Sequence, residues 1–149
     1  MAQRVIELNP VSRITTDAVG EPGNRTFFLQ ARKGSRLTTM LCEKEQIRAL
    51  SLAIQEMLED LRTRHPKGAR FMQIQMDMSL EEPVTPDFRV EQMGLGYDED
   101  NDQIVLVVKE LIAIEDEAAT TEEDESGTLV RIFASRAQME ALSRQAADV

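Results

Sequence analysis

Hydrophobic and polar positions fall into two kinds of period along this chain. Residues 14–19 read as a strand. Residues 26–32 alternate, with Phe27, Leu29 and Ala31 on one face and Phe28, Gln30 and Arg32 on the other. A third strand is expected over 37–41. The turns between them are marked by Gly20-Glu-Pro-Gly-Asn24 and Lys33-Gly34-Ser35, residues that tolerate positive φ or fix a corner. A helix follows, because Ile47, Leu50, Ile54, Met57, Leu58 and Leu61 form one stripe of a 3.6-residue period. Acidic Glu43 and Glu45 open it and Arg62, Arg64 and His65 close it, both complementing the helix dipole. Pro66 and Gly68 then stop it.

The second half repeats the sequence of periods. Residues 90–97 and 104–112 read as strands joined by Asp98-Glu-Asp-Asn-Asp102, and 129–134 as a third. Ser135 and Gln138 are spaced as a capping box for a closing helix with apolar Met139, Leu142 and Ala146. Residues 71–80 alternate and suggest an extra strand, residues 81–86 read as a linker, and Val5, Ile6 and Leu8 form a short apolar lead.

Shifting the chain by 92 residues lays 37–51 on 129–143, with Leu37/Leu129, Gln46/Gln138, Ala49/Ala141, Leu50/Leu142 and Ser51/Ser143 identical. Both windows start in a strand and end in a helix. The expected fold is therefore α+β: one domain, 1–149, with an internally duplicated β-β-β-α unit. Repeat one covers about 14–65, repeat two about 88–149, and 66–87 is a linker or extra strand. Edge-to-edge pairing predicts a mainly antiparallel, six-stranded sheet with both helices packed on one face and a cleft at the seam.

Composition narrows the function. The net charge of −10 argues against phosphate-backbone binding, which needs a basic face. The single cysteine, Cys42, excludes an internal disulfide framework and fits a reducing compartment. No long apolar run and no signal-peptide core are present, so the expected address is the cytoplasm, with no membrane role.

Val19-Gly-Glu-Pro-Gly-Asn-Arg-Thr-Phe-Phe-Leu-Gln-Ala-Arg32, Phe88-Arg-Val90 with Met93-Gly-Leu-Gly-Tyr-Asp98, and the Ser-Arg-Ala-Gln opening of the last helix resemble a bacterial family filed as domain of unknown function 3090. The resemblance implies a repeat protein with no assigned activity, often encoded near a kinase-like and a phosphatase-like protein. It also implies a Cys-rich tail resembling a zinc ribbon, which this chain, ending at Val149, does not carry.

Candidate chemistry is sparse. A helix N-terminus would activate the Cys42 thiol, but the one histidine, His65, lies at the far end of the same helix, on the order of 30 Å away. No Cys–His dyad or Ser–His–Asp triad can be assembled, so Cys42 reads as structural and His65 as helix-terminal charge. Asp98 to Asp102 has alternate oxygens like a calcium loop, but Gln103 and Lys109 replace its Gly and Glu, which leaves a hairpin turn. Residues 115–125, with seven carboxylates, read as a solvated acidic loop. No catalytic residue, metal site or cofactor is expected.

Arg25, Arg32 and Arg36 with Phe28 are the candidate binding residues. Arginine forks bind carboxylate or phosphate, and an exposed Phe beside arginines has the make-up of an interface hot spot. The expected function is a non-catalytic interaction or adaptor module for a protein partner, a second copy of the chain included. The alternative is a small anionic-ligand binder or enzyme using the cleft between the repeats.

Overall fold

In the computed structural model, residues 3–66, 76–112 and 127–149 are described. Seven strands, β1 (Arg4–Leu8), β2 (Arg13–Val19), β3 (Thr26–Lys33), β4 (Arg36–Cys42), β5 (Phe88–Asp98), β6 (Gln103–Glu110) and β7 (Thr128–Ala134), accompany two helices, α1 (Lys44–Arg64) and α2 (Arg136–Asp148). The fold is α+β. The sheet order is β1-β7-β6-β5-β4-β3-β2. Two antiparallel meanders, β2-β3-β4 and β5-β6-β7, meet where β4 and β5 run parallel, and β1 adds to β7, also parallel.

The expected six-stranded antiparallel sheet is thus corrected to a seven-stranded mixed one. α1 runs alongside β5, from Gln46 beside Val90 to His65 beside Tyr97, and β5 then begins next to Met40, so it runs parallel to β4 across a long crossover. The N-terminal lead, too short to declare itself by alternation, supplies the seventh strand.

The sheet is curled. β1 and β2 lie at its two edges, about 29 Å apart in a flat seven-stranded sheet. Only residues 9–12 connect them, and five Cα steps reach about 18 Å at most. The connection bridges both edges: Val11 N–H donates to Phe133 O at 2.8 Å and Ser12 N–H to Arg32 O at 2.7 Å.

Local chemistry explains the elements. Gly20, at φ 114°, closes the β2–β3 turn where a Cβ would stand 2.6 Å from the Asn24 carbonyl oxygen. Ser135 caps α2 by accepting from Gln138 N–H, while Gln138 Oε1 accepts from Ser135 N–H. On α1, Gln46 Oε1 accepts from Glu43 N–H at 2.8 Å. A bulge between Val90 and Gln92 leaves Glu91 and Gln92 both outside, so that Val90, Met93, Leu95 and Tyr97 share the core side.

One apolar core takes residues from all seven strands and both helices, among them Leu8, Leu29, Met40, Ile54, Ile104, Ile132, Met139 and Leu142. Cys42 belongs to it, and burial pushes its thiol up to about 12, with Glu43 adding to the rise. Desolvation outweighs the helix N-terminus here, so the thiol is inert packing.

Residues 76–80 are not a strand. They run with 81–87 across the side of β2 and β3 opposite the core, held by Arg13, Thr15, Gln30 and Arg32. The remainder of the expected strand, 71–75, and the acidic run 115–125 lie outside the described residues.

Candidate functional site

The four residues singled out from the sequence do not converge. Phe28 is 7% exposed, on the side of β3 away from the core cluster, and so is not an exposed hot spot. Arg32, on the same face, is spent inside the chain: Glu81 lies 2.9 Å from its guanidinium. Arg36 is exposed at the β3–β4 turn opposite Lys33. Arg25 is exposed beside a shallow hollow with Pro22, Phe27, Lys44 and Val149. The face expected to be open to a partner is crossed by residues 77–81.

That crossing has its own logic. Arg13 and Arg32 are register partners on antiparallel strands, a like-charge pair that costs stability unless something neutralises it. Glu81 ion-pairs with both, at 3.1 and 2.9 Å. The Arg32 hydrogen bond holds the Glu81 carboxyl below its ordinary pKa, and the same bond raises Arg32. Gln30 reads the strap's backbone, donating to Glu81 O and accepting from Glu81 N–H, while Thr15 donates to Met78 O.

At the seam between the two meanders lies an apolar slot of about 210 Å³ between α1 and β5. Ala49, Leu50 and Ala53 form one wall and Met93, Gly94, Leu95 and Leu106 the other, with Gln46, Glu91 and Gln92 at the rim. The small side chains of Ala49 and Ala53 leave the space. None of Arg25, Arg32 or Arg36 lines it.

A second, polar cleft of about 730 Å³ opens where the end of α1 faces the β5–β6 turn. Arg64, His65 and Pro66 line one side, and Tyr97, Glu99, Asp100, Asn101 and Asp102 the other. Behind it sits Arg136, 3% exposed. Its Nε donates to Asp102 Oδ1 at 2.9 Å, Nη2 lies 2.9 Å from the same oxygen as an ion pair, and Nη2 donates to the His65 carbonyl at 2.7 Å. Tyr97 donates its hydroxyl to the same Asp102 oxygen at 2.7 Å, and its ring lies 5.0 Å from that of His65. Loss of hydration raises the Tyr97 hydroxyl above its ordinary pKa, helped by the bond to Asp102. Nη1 of Arg136 is buried with no hydrogen-bond partner among the described residues.

Arg136 did not stand out in the sequence as a site residue, yet a signal was there. It is the first residue of α2, where the helix dipole disfavours positive charge. An arginine tolerated at that end has a specific reason to be there, in this case Asp102.

No group of three or more His, Cys, Asp or Glu side chains is gathered to hold a metal ion among the described residues. No helix among them is long and apolar enough to cross a membrane.

Fold and clefts together define an α+β protein with a two-helix layer on a curled mixed sheet. The family model described as "Protein of unknown function (DUF3090)" matches residues 6–149, and the chain belongs to that family. Neither the curated proteins nor the solved structures contain a match to it.

Proposed function

We propose that the protein is a non-catalytic interaction module on a duplicated β-β-β-α frame, working through the apolar slot between α1 and β5. Duplication is supported by pairs 92 residues apart. Gln46 and Gln138 each accept their N-cap's amide, and each also donates to a backbone carbonyl, Val90 O and Val11 O, both at 3.1 Å. Leu50 and Leu142 are both buried.

The observation that carries the function is the size and lining of the slot. At about 210 Å³ it falls below the ~300–1,000 Å³ usual for small-molecule sites. It suits one or two apolar side chains, the anchor of a protein hot spot. The net charge of −10 selects a basic partner, so the occupant is a protein segment offering Leu, Met or Phe among Lys and Arg. The reduced, buried Cys42 fits a bacterial cytoplasm.

Ala53 is exposed on α1, so Ala53→Arg fills the slot without touching the core. Wild type and variant are used side by side as baits, with cross-linking and mass spectrometry. A basic protein that cross-links near the slot of the wild type, and falls away with the variant at unchanged circular dichroism, supports the function. Equal capture by both, cross-links elsewhere, or a dimer that survives the variant overturns it.

A further inference from the structure

The cleft in front of Arg136 has the charge pattern of a receptor for a small zwitterion. Its two walls differ in sign: Arg64, next to His65 at the end of α1, faces Glu99, Asp100 and Asp102 in the β5–β6 turn. A purely anionic ligand would meet three carboxylates, and a purely cationic one would meet two arginines. A molecule carrying both charges satisfies both walls.

The guanidinium at the back is incompletely used. Asp102 Oδ1 sits on the Nε–Nη2 edge, and Nη1, on the other side, has no hydrogen-bond partner among the described residues. Arginine prefers two parallel bonds to two oxygens, and a buried donor without an acceptor carries the full cost of its desolvation. The Nη1–Nη2 edge, which among the described residues meets the His65 carbonyl and, at 3.4 Å, the Tyr97 hydroxyl, is the half-open fork. His65 and Tyr97 stand in front of it as tilted rings. The space ahead, about 730 Å³, lies inside the range of small-molecule sites, unlike the slot on α1.

We infer that this cleft binds a small molecule bearing a carboxylate and an ammonium group, the pattern of a free amino acid or short peptide. The carboxylate docks on Arg64 and, once the His65 and Tyr97 rings part, on the free edge of Arg136. The ammonium faces Glu99 and Asp100. This site is independent of the apolar slot and stands or falls without it.

The chain contains its own reporters. Tyr97 is its one tyrosine, there is no tryptophan, and His65 is its one histidine. The intact protein is titrated with glycylglycine, L-lysine and L-glutamate, and with acetate, inorganic phosphate and ethylammonium as single-charge controls at equal ionic strength. Tyrosine emission and the His65 ring-proton resonance are followed. The expected result is a saturable change in both signals with at least one zwitterion and none with the controls. Arg64→Gln and Asp100→Asn, both surface changes, each weaken it about tenfold or more. Arg136→Lys, which keeps the charge and loses the fork, abolishes the His65 shift. If that variant does not fold, the two surface variants decide the matter. No saturable response to any zwitterion, an equal response to acetate or phosphate, or unchanged binding in Arg64→Gln and Asp100→Asn overturns the inference.

Discussion

The hydroxyl of Ser51, in the middle of α1, donates a buried hydrogen bond of 2.8 Å to the backbone carbonyl of Ser143 in α2. The two serines are 92 residues apart in sequence, and both are 2% exposed. A small side chain lets the helices approach closely, and the hydroxyl, which also accepts from Gln55 Nε2 at 3.0 Å, adds a polar tie. Ser51→Ala removes the tie without adding bulk. The expected loss is about 1 kcal/mol, or about 2–4 °C in Tm for a chain of this size, measured by thermal unfolding. Ser51→Leu must force the helices apart and should cost about 1–3 kcal/mol by overpacking. A Ser51→Leu protein as stable as wild type would show that the helices do not meet there.

Leu50 and Leu142 hold matching positions on the two helices, at 4% and 0% exposure. Leu→Ala at either should cost about 2–5 kcal/mol in chemical denaturation. Leu52, two residues along on the outer side of α1, is 56% exposed. Its alanine variant should stay within about 0.5 kcal/mol of wild type, as surface changes usually do.

Glu81 should make the strap over β2 and β3 sensitive to acid. Its folded-state pKa is lowered, chiefly by the Arg32 hydrogen bond, so its contribution is complete above the ordinary glutamate value of about 4.3. That contribution is lost as pH falls below this value through the lowered folded-state pKa. Relative to the intrinsic rate at each pH, hydrogen exchange of residues 77–81 should therefore become selectively faster on acidification, before the protection of the core amides falls. Glu81→Gln should show the faster exchange already at neutral pH, because Arg13 and Arg32 then face each other without a counter-charge.

Cys42 should resist alkylation. With burial holding the thiol near pKa 12, almost none is thiolate at neutral pH, and the side chain is 5% exposed. Iodoacetamide labelling followed by mass spectrometry should be negligible in native protein and rapid in denaturant. Fast labelling of the native protein would mean that the β4–α1 junction opens readily.

Much of the local structure was legible because local structure follows short periods. The stripe from Ile47 to Leu61 specified α1, and the alternation through Phe27, Leu29 and Ala31 specified β3. The Ser135–Gln138 spacing specified the cap that the geometry contains. Those patterns need only neighbours within one or two turns. Alternation told which residues share a face of β3. It did not tell what lies on that face, so Phe28 looked available when the fold buries it.

What the tertiary structure alone decided involves partners far apart in sequence. The parallel joins of β4 to β5 and β1 to β7 pair Met40 with Phe88 and Arg4 with Thr128, separations that no local period records. The curl of the sheet follows from a connection too short to span it flat. Glu81 became the keystone of Arg13 and Arg32 because the strap crosses two strands at that point. Asp102, Tyr97 and His65 became the surroundings of Arg136 because a hairpin turn and two helix ends meet there. A sequence records which groups are charged or apolar, but burial decides which charges must find each other, and burial exists only once the chain has closed on itself.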